Sequence, residues 1–189
     1  MLGIHLSYVP GGIAPALEGA APLSGAERRM LKARATWDQR EGAYEHLHCT
    51  KPQTIAYALT DSPVGLAAWI IEKWHGWTDC GGDVESVIGR DELLANVSWY
   101  WLTRSAATSV RLTTRPSTTA GLGPGDRVRV PTAIASFPKE LVVAPREWAE
   151  RIYDVVQWTD MPRGGHFAAA EQPELLAEDV RRFFFETLA

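Results

Sequence analysis

A histidine and a carboxylate stand where a parallel sheet would present catalytic groups. His166 lies in the loop 162–167, behind two glycines and after the β-prone run VVQWTDM, and Glu140 follows the run VRVPTAIASF. Ligands of open α/β sheets collect beyond the carboxyl ends of the strands. A carboxylate at that edge can hold an imidazole in one tautomer, as a general base requires. On spacing alone the alternative stays open: His166 caps a turn and Glu140 is a solvated loop charge.

The elements that must position these residues follow in a definite order. Residues 3–9, GIHLSYV, predict a short strand that stops at Pro-Gly-Gly. A capping box at Ser24 and Glu27 predicts a helix to about residue 39, and Pro52 fits the first turn of a second helix. Ser62-Pro63 predicts the start of a third helix. An aromatic-rich helix is expected from about 90 to 107.

The second half of the chain returns to strands. The run 127–137 predicts a buried parallel strand because it is rich in β-branched residues. A helix at about 145–152, the strand 155–161 and an amphipathic last helix complete a β-α-β-α order. We therefore predict an α/β fold with an inserted all-α lid: 1–20 as strand and loop of the core, 21–124 as lid and linker, and 125–189 as the rest of the core.

Composition excludes several classes of function. The 189 residues carry a net charge of −4 with acids and bases interspersed, which argues against nucleic acid and anionic membranes as partners. No window reaches the ~18 apolar residues of a membrane span. Two cysteines in unrelated contexts form no disulfide framework and fit a reducing cytoplasm. We expect a cytoplasmic protein whose partner is a small molecule.

Other candidate residues are better explained by structure than by chemistry. His46 and His48 beside Cys49 lack further spaced ligands, so no metal or cofactor is predicted, and the H-x-H pair is placed in a loop beside a helix. Asp83 follows two glycines, but no strand precedes it as a nucleophile elbow would need. Glu171 is interpreted as a charge in the first turn of a helix. The eight tryptophans either fill helix interfaces or line an apolar pocket.

Several long segments resemble epoxide hydrolases of the microsomal type, a family of the α/β-hydrolase fold. They are RGGHFAAAEQPELLAEDVRRFF, VPTAIASFPKEL, YEHLHCTKPQTIAYALTDSPVGLAAWIIEKW and DELLANVSWYWLT. The resemblance runs nearly end to end. It implies a detoxifying hydrolase that converts an apolar epoxide to a diol through an aspartyl ester, without a cofactor.

The resemblance also implies roles for single residues. It places His166 as the base that activates water, Glu140 as its orienting acid, and Tyr44 as a lid donor to the epoxide oxygen. At the second family tyrosine this sequence has Thr113, which would weaken that assistance. Together with Thr113, the lid residues expected to line the substrate site are tryptophans: Trp69, Trp99 and Trp101.

The family's nucleophilic aspartate and oxyanion loop precede the strand that GIHLSYV resembles. We therefore expect this chain to be the C-terminal half, a truncated form that holds the lid, the acid and the histidine and is inactive alone. Its expected partners are an apolar epoxide and either a separate N-terminal hydrolase half or a second copy of the chain. The alternative is a degenerate module that binds a hydrophobic ligand or a complementing chain through the tryptophan-rich lid.

Overall fold

Three short strands lie side by side in one parallel sheet. The computed structural model describes residues 2–9, 22–112 and 127–188. Ile4–Leu6 (β1), Val128–Ser136 (β2) and Tyr153–Asp160 (β3) pair in the order β1-β2-β3. Both pairings are parallel, as the predicted α/β fold requires. The predicted linker at 113–126, including Thr113, lies outside the described residues.

Helices make up most of the remaining described chain. Besides a 3₁₀ turn at Val84–Ser86 and a π turn at Phe183–Thr187, the α-helices number nine within these residues. They are Gly25–Glu41 (α1), Ala43–Thr50 (α2), Pro52–Asp61 (α3), Pro63–Trp77 (α4), Arg90–Leu102 (α5), Ala106–Ser109 (α6), Arg146–Glu150 (α7), Ala168–Glu171 (α8) and Pro173–Arg182 (α9).

Local signals set several helix starts. The Ser24 amide donates to Glu27 Oε2 at 2.7 Å and the Glu27 amide donates to Ser24 Oγ at 3.1 Å, which is the reciprocal pattern of a capping box. Ser62 Oγ accepts from the Gly65 amide at 3.0 Å at the start of α4. Both predicted caps are therefore present.

One prediction about these helices was wrong. His46 and His48 lie on α2, not in a loop, and α3 starts separately at Pro52. The break falls at Lys51, whose φ of −138° and ψ of 49° are not helical. The residue before a proline is forced out of the helical region, so two helices form where the apolar periodicity suggested one.

The chain divides into two compact units. The core unit comprises Met1–Trp37, Trp77–Asp79 and Gly121–Ala189, and the helical unit comprises Asp38–Gly76 and Cys80–Ala120. The helical unit thus begins inside α1, later than the predicted lid boundary at residue 21. The physical reason is that Met30, on the first part of α1, is buried in one cluster with Ile134 of the sheet.

The sheet is covered on both faces within the core unit. Residues 132–135 of β2 are all buried, with exposures of 0–2%. Ile134 belongs to a cluster with Met30 and Trp148, whereas Ala135 belongs to a second cluster with Phe137 and Met161. Neighbouring residues of a strand point to opposite faces, so the two clusters lie on opposite sides of the sheet.

The helical unit has its own apolar cluster. It is formed by Ala56, Leu59, Leu66, Val97, Ala106 and Val110. No single helix in the described ranges is both long and apolar enough to cross a membrane. Helices α3 and α4 meet those criteria only as a pair, and they are bent by 116° at their junction.

Candidate active site

The loop after β3 carries His166, and its glycines have specific steric roles. Gly164 has a φ of +106°, which L side chains rarely adopt, and a Cβ there would lie 2.8 Å from the Phe137 ring. A Cβ on Gly165 would lie 2.6 Å from the carbonyl oxygen of Trp77. The loop can follow this path only because both positions lack side chains.

Glu140 lies on the loop that follows the neighbouring strand. Its backbone segment is tied to the histidine loop, because the Lys139 amide donates to the Gly164 carbonyl at 3.1 Å and Lys139 pairs with Gly165 as a parallel bridge. The Glu140 side chain is 5% exposed. Its Oε1 accepts from its neighbour's amide, that of Leu141, at 2.7 Å.

The two side chains meet directly. His166 Nδ1 and Glu140 Oε1 are 2.7 Å apart. An ionised carboxylate can only accept, so the shared proton is assigned to Nδ1 and Nε2 is left with its lone pair. The imidazole is 25% exposed. This arrangement can take a proton from water through Nε2 and stabilise the resulting imidazolium.

Aromatic rings surround the imidazole within the core unit. Tyr8 and Trp77 both contact it edge-on, with ring centroids at 5.5 and 5.4 Å, and Phe167 lies at 5.2 Å. Among the described residues no group of three or more His, Cys, Asp or Glu is arranged to hold a metal ion.

Sequence reasoning missed the role of Glu171. Interpreted as an ordinary first-turn charge, it is in fact 8% exposed and ends α8. Its carboxylate accepts three backbone N–H groups, from Asp79 at 2.7 Å, Gly165 at 3.0 Å and Phe167 at 3.1 Å. The sequence offered one indication of this role, namely that Glu171 lies five residues after His166. Its third partner, the Asp79 amide, is distant in sequence and could not be predicted.

A second imidazole–carboxylate pair lies elsewhere in the core unit. His5 Nε2 and Asp179 Oδ2 are 2.8 Å apart, with side chains 7% and 2% exposed. Asp179 also accepts from Thr159 Oγ1 at 2.6 Å and pairs with Arg182. Because the carboxylate is already shared among these donors, the pair serves to attach α9 to the sheet.

The candidate residues of the helical unit form a separate group. Tyr44 on α2 contacts the His48 ring edge-on at 5.7 Å and has Lys73 Nζ 4.8 Å from its ring centroid. Trp69 lies 5.8 Å from the same His48 ring. Burial lowers the pKa of His48, which therefore stays neutral near pH 7.

Two other tryptophans of that unit differ in exposure. Trp101 lines an open cavity of about 510 Å³, together with Leu59, Tyr100, Leu102 and others. Trp99 is 72% exposed and is absent from the described lining of that cavity. Trp69 and Trp101 both pack against the apolar cluster of the helical unit, and the substrate-lining role of the three tryptophans stays a prediction. Thr113 lies outside the described residues.

Comparison with known proteins gives one consistent result. The chain is 42% identical over 186 residues to a putative epoxide hydrolase of Stigmatella aurantiaca, covering 97% of this chain and 41% of that protein. It is 41% identical over 154 residues to epoxide hydrolase 1 of Sus scrofa, covering 76% and 34%. Juvenile hormone epoxide hydrolase 1 of Ctenocephalides felis is 47% identical over 150 residues, covering 74% and 32%. No protein-family model matches the chain.

Solved structures agree with the sequence relatives. The structure of Aspergillus niger epoxide hydrolase matches with a TM-score of 0.75 at 31% identity, covering 97% of this chain and 46% of that one. Juvenile hormone epoxide hydrolase from Bombyx mori matches with a TM-score of 0.68 at 36% identity, covering 75% and 38%. The fold and these matches define an α/β-hydrolase.

Within that class, the chain belongs to the epoxide hydrolase family. It spans less than half the length of the curated relatives that it matches, which fits one half of such an enzyme.

Proposed function

We propose that this chain supplies the acid–base pair and the helical cap of an epoxide hydrolase that opens apolar epoxides to diols. The observation that carries this proposal is the 2.7 Å contact between His166 Nδ1 and Glu140 Oε1. A base oriented in this way, at the carboxyl edge of a parallel sheet, fits the water-activating step of ester hydrolysis.

The proposed reaction has two steps. An aspartate attacks one epoxide carbon, the C–O bond breaks, and the oxygen that leaves receives a proton from a donor, for which Tyr44 is the candidate by family resemblance. His166 Nε2 then removes a proton from water, whose oxygen attacks the ester carbonyl. The tetrahedral intermediate collapses and the ester C–O bond breaks; the departing alkoxide takes the proton of the imidazolium and leaves as the diol. The proton left on the carboxyl group returns to the Tyr44 oxygen, which restores the aspartate and the donor. Glu140 keeps the imidazole oriented throughout.

The described strands carry no aspartate on a strand-to-helix elbow. Each strand is followed by a loop, and Asp160 at the end of β3 accepts from Trp158 Nε1 at 2.9 Å. Among the described residues β1 pairs on one side only, with β2. Its other edge offers backbone groups for a further strand. We propose that a complementary segment adds strands there and provides the nucleophile, either in the same polypeptide or as a separate chain.

Complementation tests the proposal directly. The chain is mixed with a polypeptide that carries the unmatched part of the Stigmatella aurantiaca relative, and styrene oxide serves as an apolar epoxide. Diol is expected from the mixture and not from either chain alone. A mixture that stays inert although the two chains associate contradicts the proposed half-enzyme role.

Trapping the intermediate tests the role of the dyad. With His166→Gln in the mixture, alkylation proceeds but hydrolysis stops, so the complementary chain gains the mass of one epoxide. Glu140→Gln is expected to accumulate the same adduct more weakly. A His166→Gln mixture that makes diol at the unmodified rate would refute the assignment.

The donor role of Tyr44 has its own test. Tyr44→Phe keeps the ring that contacts His48 and removes the hydroxyl, so adduct formation should slow by about 10²- to 10³-fold, as for loss of one oxyanion donor. Thr113→Tyr restores the family's second donor and should accelerate the same step. An unchanged adduct rate in Tyr44→Phe would remove Tyr44 from the mechanism.

One observation favours a second candidate function. The open cavity of about 510 Å³ in the helical unit has a mixed lining, in which the aromatic side chains of Trp101 and Tyr100 stand with the polar side chains of Thr60 and Arg104. Such a cavity suits binding of a hydrophobic ligand without catalysis. Titration with an apolar probe such as stilbene oxide should quench fluorescence saturably, and Trp101→Phe should lose more of that signal than Trp99→Phe. Equal losses in both variants would contradict binding at this cavity.

A further inference from the structure

Four consecutive backbone N–H groups around the histidine are donated to groups outside the loop. The Gly164 amide donates to Asp79 Oδ2 at 3.0 Å, and the His166 amide donates to the Trp77 carbonyl at 2.9 Å. The two amides between and after them, at 165 and 167, donate to the Glu171 carboxylate at 3.0 and 3.1 Å. Each peptide unit from 164 to 167 is thereby fixed.

Glu171 and the segment Trp77–Asp79 form one hydrogen-bonded assembly. The Asp79 amide donates to Glu171 Oε2 at 2.7 Å, so this carboxylate links the segment to the loop. All of these residues belong to the core unit. With a side chain only 8% exposed, the negative charge of Glu171 is compensated by backbone N–H dipoles. A neutral glutamine has only one acceptor oxygen, so it cannot accept the Gly165 amide on one side-chain atom and the Phe167 amide on the other.

The assembly acts on the backbone of His166, whereas Glu140 acts on its ring. The Trp77 carbonyl holds the peptide unit directly before His166, whereas Glu171 holds the unit directly after it and the unit that ends at the Gly165 amide. Together these bonds set the direction of the Cα–Cβ bond of His166. The ring then reaches Glu140 at 2.7 Å. Hydrogen bonds weaken steeply outside about 2.7–3.2 Å, so a backbone shift of about 1 Å would separate the two groups.

We infer that Glu171, assisted by Asp79, is a positioning residue that holds the backbone of His166 so that its imidazole engages Glu140. This inference deepens the proposed function and rests on the dyad acting as its base. Glu171 does not touch the imidazole, and it acts through the amides on either side of that residue.

Nuclear magnetic resonance of the ¹⁵N-labelled chain separates this role from plain stabilisation. The reporters are the Nδ1–H proton of His166 and the exchange rates of the amides at 165 and 167. In Glu171→Gln, amide exchange should rise about tenfold or more, since hydrogen bonds to a charged acceptor are lost, and the Nδ1–H resonance should broaden or vanish. Glu140→Gln is the positive control for that resonance.

Two further variants keep the inference testable if Glu171→Gln folds poorly. Asp79→Asn retains an oxygen acceptor for the Gly164 amide and should keep the Nδ1–H resonance, whereas Asp79→Ala should lose it. Glu27→Gln is the matched control, because Glu27 is also a buried carboxylate of the core unit but contacts Ser24 and Arg151 instead. It should destabilise the chain and leave the His166 signal unchanged.

The outcomes separate the two proposals. A Nδ1–H resonance that persists unchanged in Glu171→Gln and Asp79→Ala, while Glu140→Gln removes it, overturns the positioning role and leaves the dyad intact. Loss of the resonance in Glu27→Gln as well would also overturn it, because general destabilisation would then explain the effect. A wild-type chain without a hydrogen-bonded Nδ1–H, and no response to Glu140→Gln, would refute the dyad itself.

Discussion

The ion pair between Glu27 and Arg151 should be a main source of stability in the core unit. Glu27 is fully buried at the start of α1, and Arg151 follows α7 with its side chain 16% exposed. Arg151 donates to both carboxylate oxygens, including Oε2 at 2.8 Å. The perturbation is Glu27→Gln, which preserves the shape of the side chain and removes its charge.

Removing one partner of a buried ion pair costs about 3–5 kcal/mol. Arg151 is close enough to the surface to reach water, so we expect the lower end, about 3 kcal/mol. For a chain of 150–250 residues each kcal/mol shifts Tm by roughly 2–4 °C, which predicts a fall of about 6–12 °C.

The assay is thermal unfolding followed by the indole resonance of Trp148, which is buried in the core unit. The control is Glu150→Gln, since the Arg146–Glu150 pair is 52% and 44% exposed and should contribute less than about 1 kcal/mol. Arg151→Met and the double variant complete a mutant cycle. A Tm shift in Glu27→Gln no larger than in Glu150→Gln would refute the reasoning.

Three further predictions follow from other contacts. Arg151 lowers the pKa of Glu27 below its ordinary 4.5. The free energy of unfolding of wild type should therefore exceed that of Glu27→Gln by its full margin above pH 4.5, and this margin should shrink as pH falls through the folded pKa. Acid unfolding curves of both proteins measure the margin, and a margin that does not change with pH would contradict the pair. Gly165→Ala places a methyl group 2.6 Å from the Trp77 carbonyl and should lower the free energy of unfolding by about 1–3 kcal/mol, measured in urea. Gly89→Ala is the control, because a methyl group there has no neighbour within 4 Å. Equal urea midpoints for the two variants would contradict the steric role of Gly165. Burial lowers the pKa of His48 below 6.5. The stability that the neutral imidazole contributes is therefore complete above pH 6.5 and is lost as pH falls toward the folded pKa. His48→Phe should lose less stability than wild type between pH 7.5 and 5, and equal losses in the two proteins would contradict this burial effect.

The sequence predicted those features whose causes are local. The Ser24–Glu27 capping box, the Ser62 cap and the buried strand β2 each follow from residues within a few positions of one another. His166 and Glu140 could be identified as candidates for a related reason, because parallel strands bring the loops that follow them to the same edge of the sheet. Spacing alone left their contact open, and the family resemblance favoured it.

Contacts between distant segments could not be predicted in this way. The three amides bound by Glu171 include that of Asp79, which lies 92 positions away. Likewise Glu27 and Arg151 are separated by 124 positions. No periodicity or spacing links such partners. The exposure of Trp99 could not be predicted for a similar reason. Composition identifies a tryptophan as bulky but does not tell which side of α5 is covered.

The tripeptide Trp77–Asp79 limits how the helical unit could be exchanged between relatives. In sequence it interrupts that unit, yet by contacts it belongs to the core unit, where it accepts the amide of the histidine and donates to Glu171. A chimera that replaces residues 38–120 as one block would also replace the tripeptide Trp77–Asp79, and would put a relative's residues against the histidine loop. Grafts that join at 76 and 80, and leave the native tripeptide in place, should keep that loop intact.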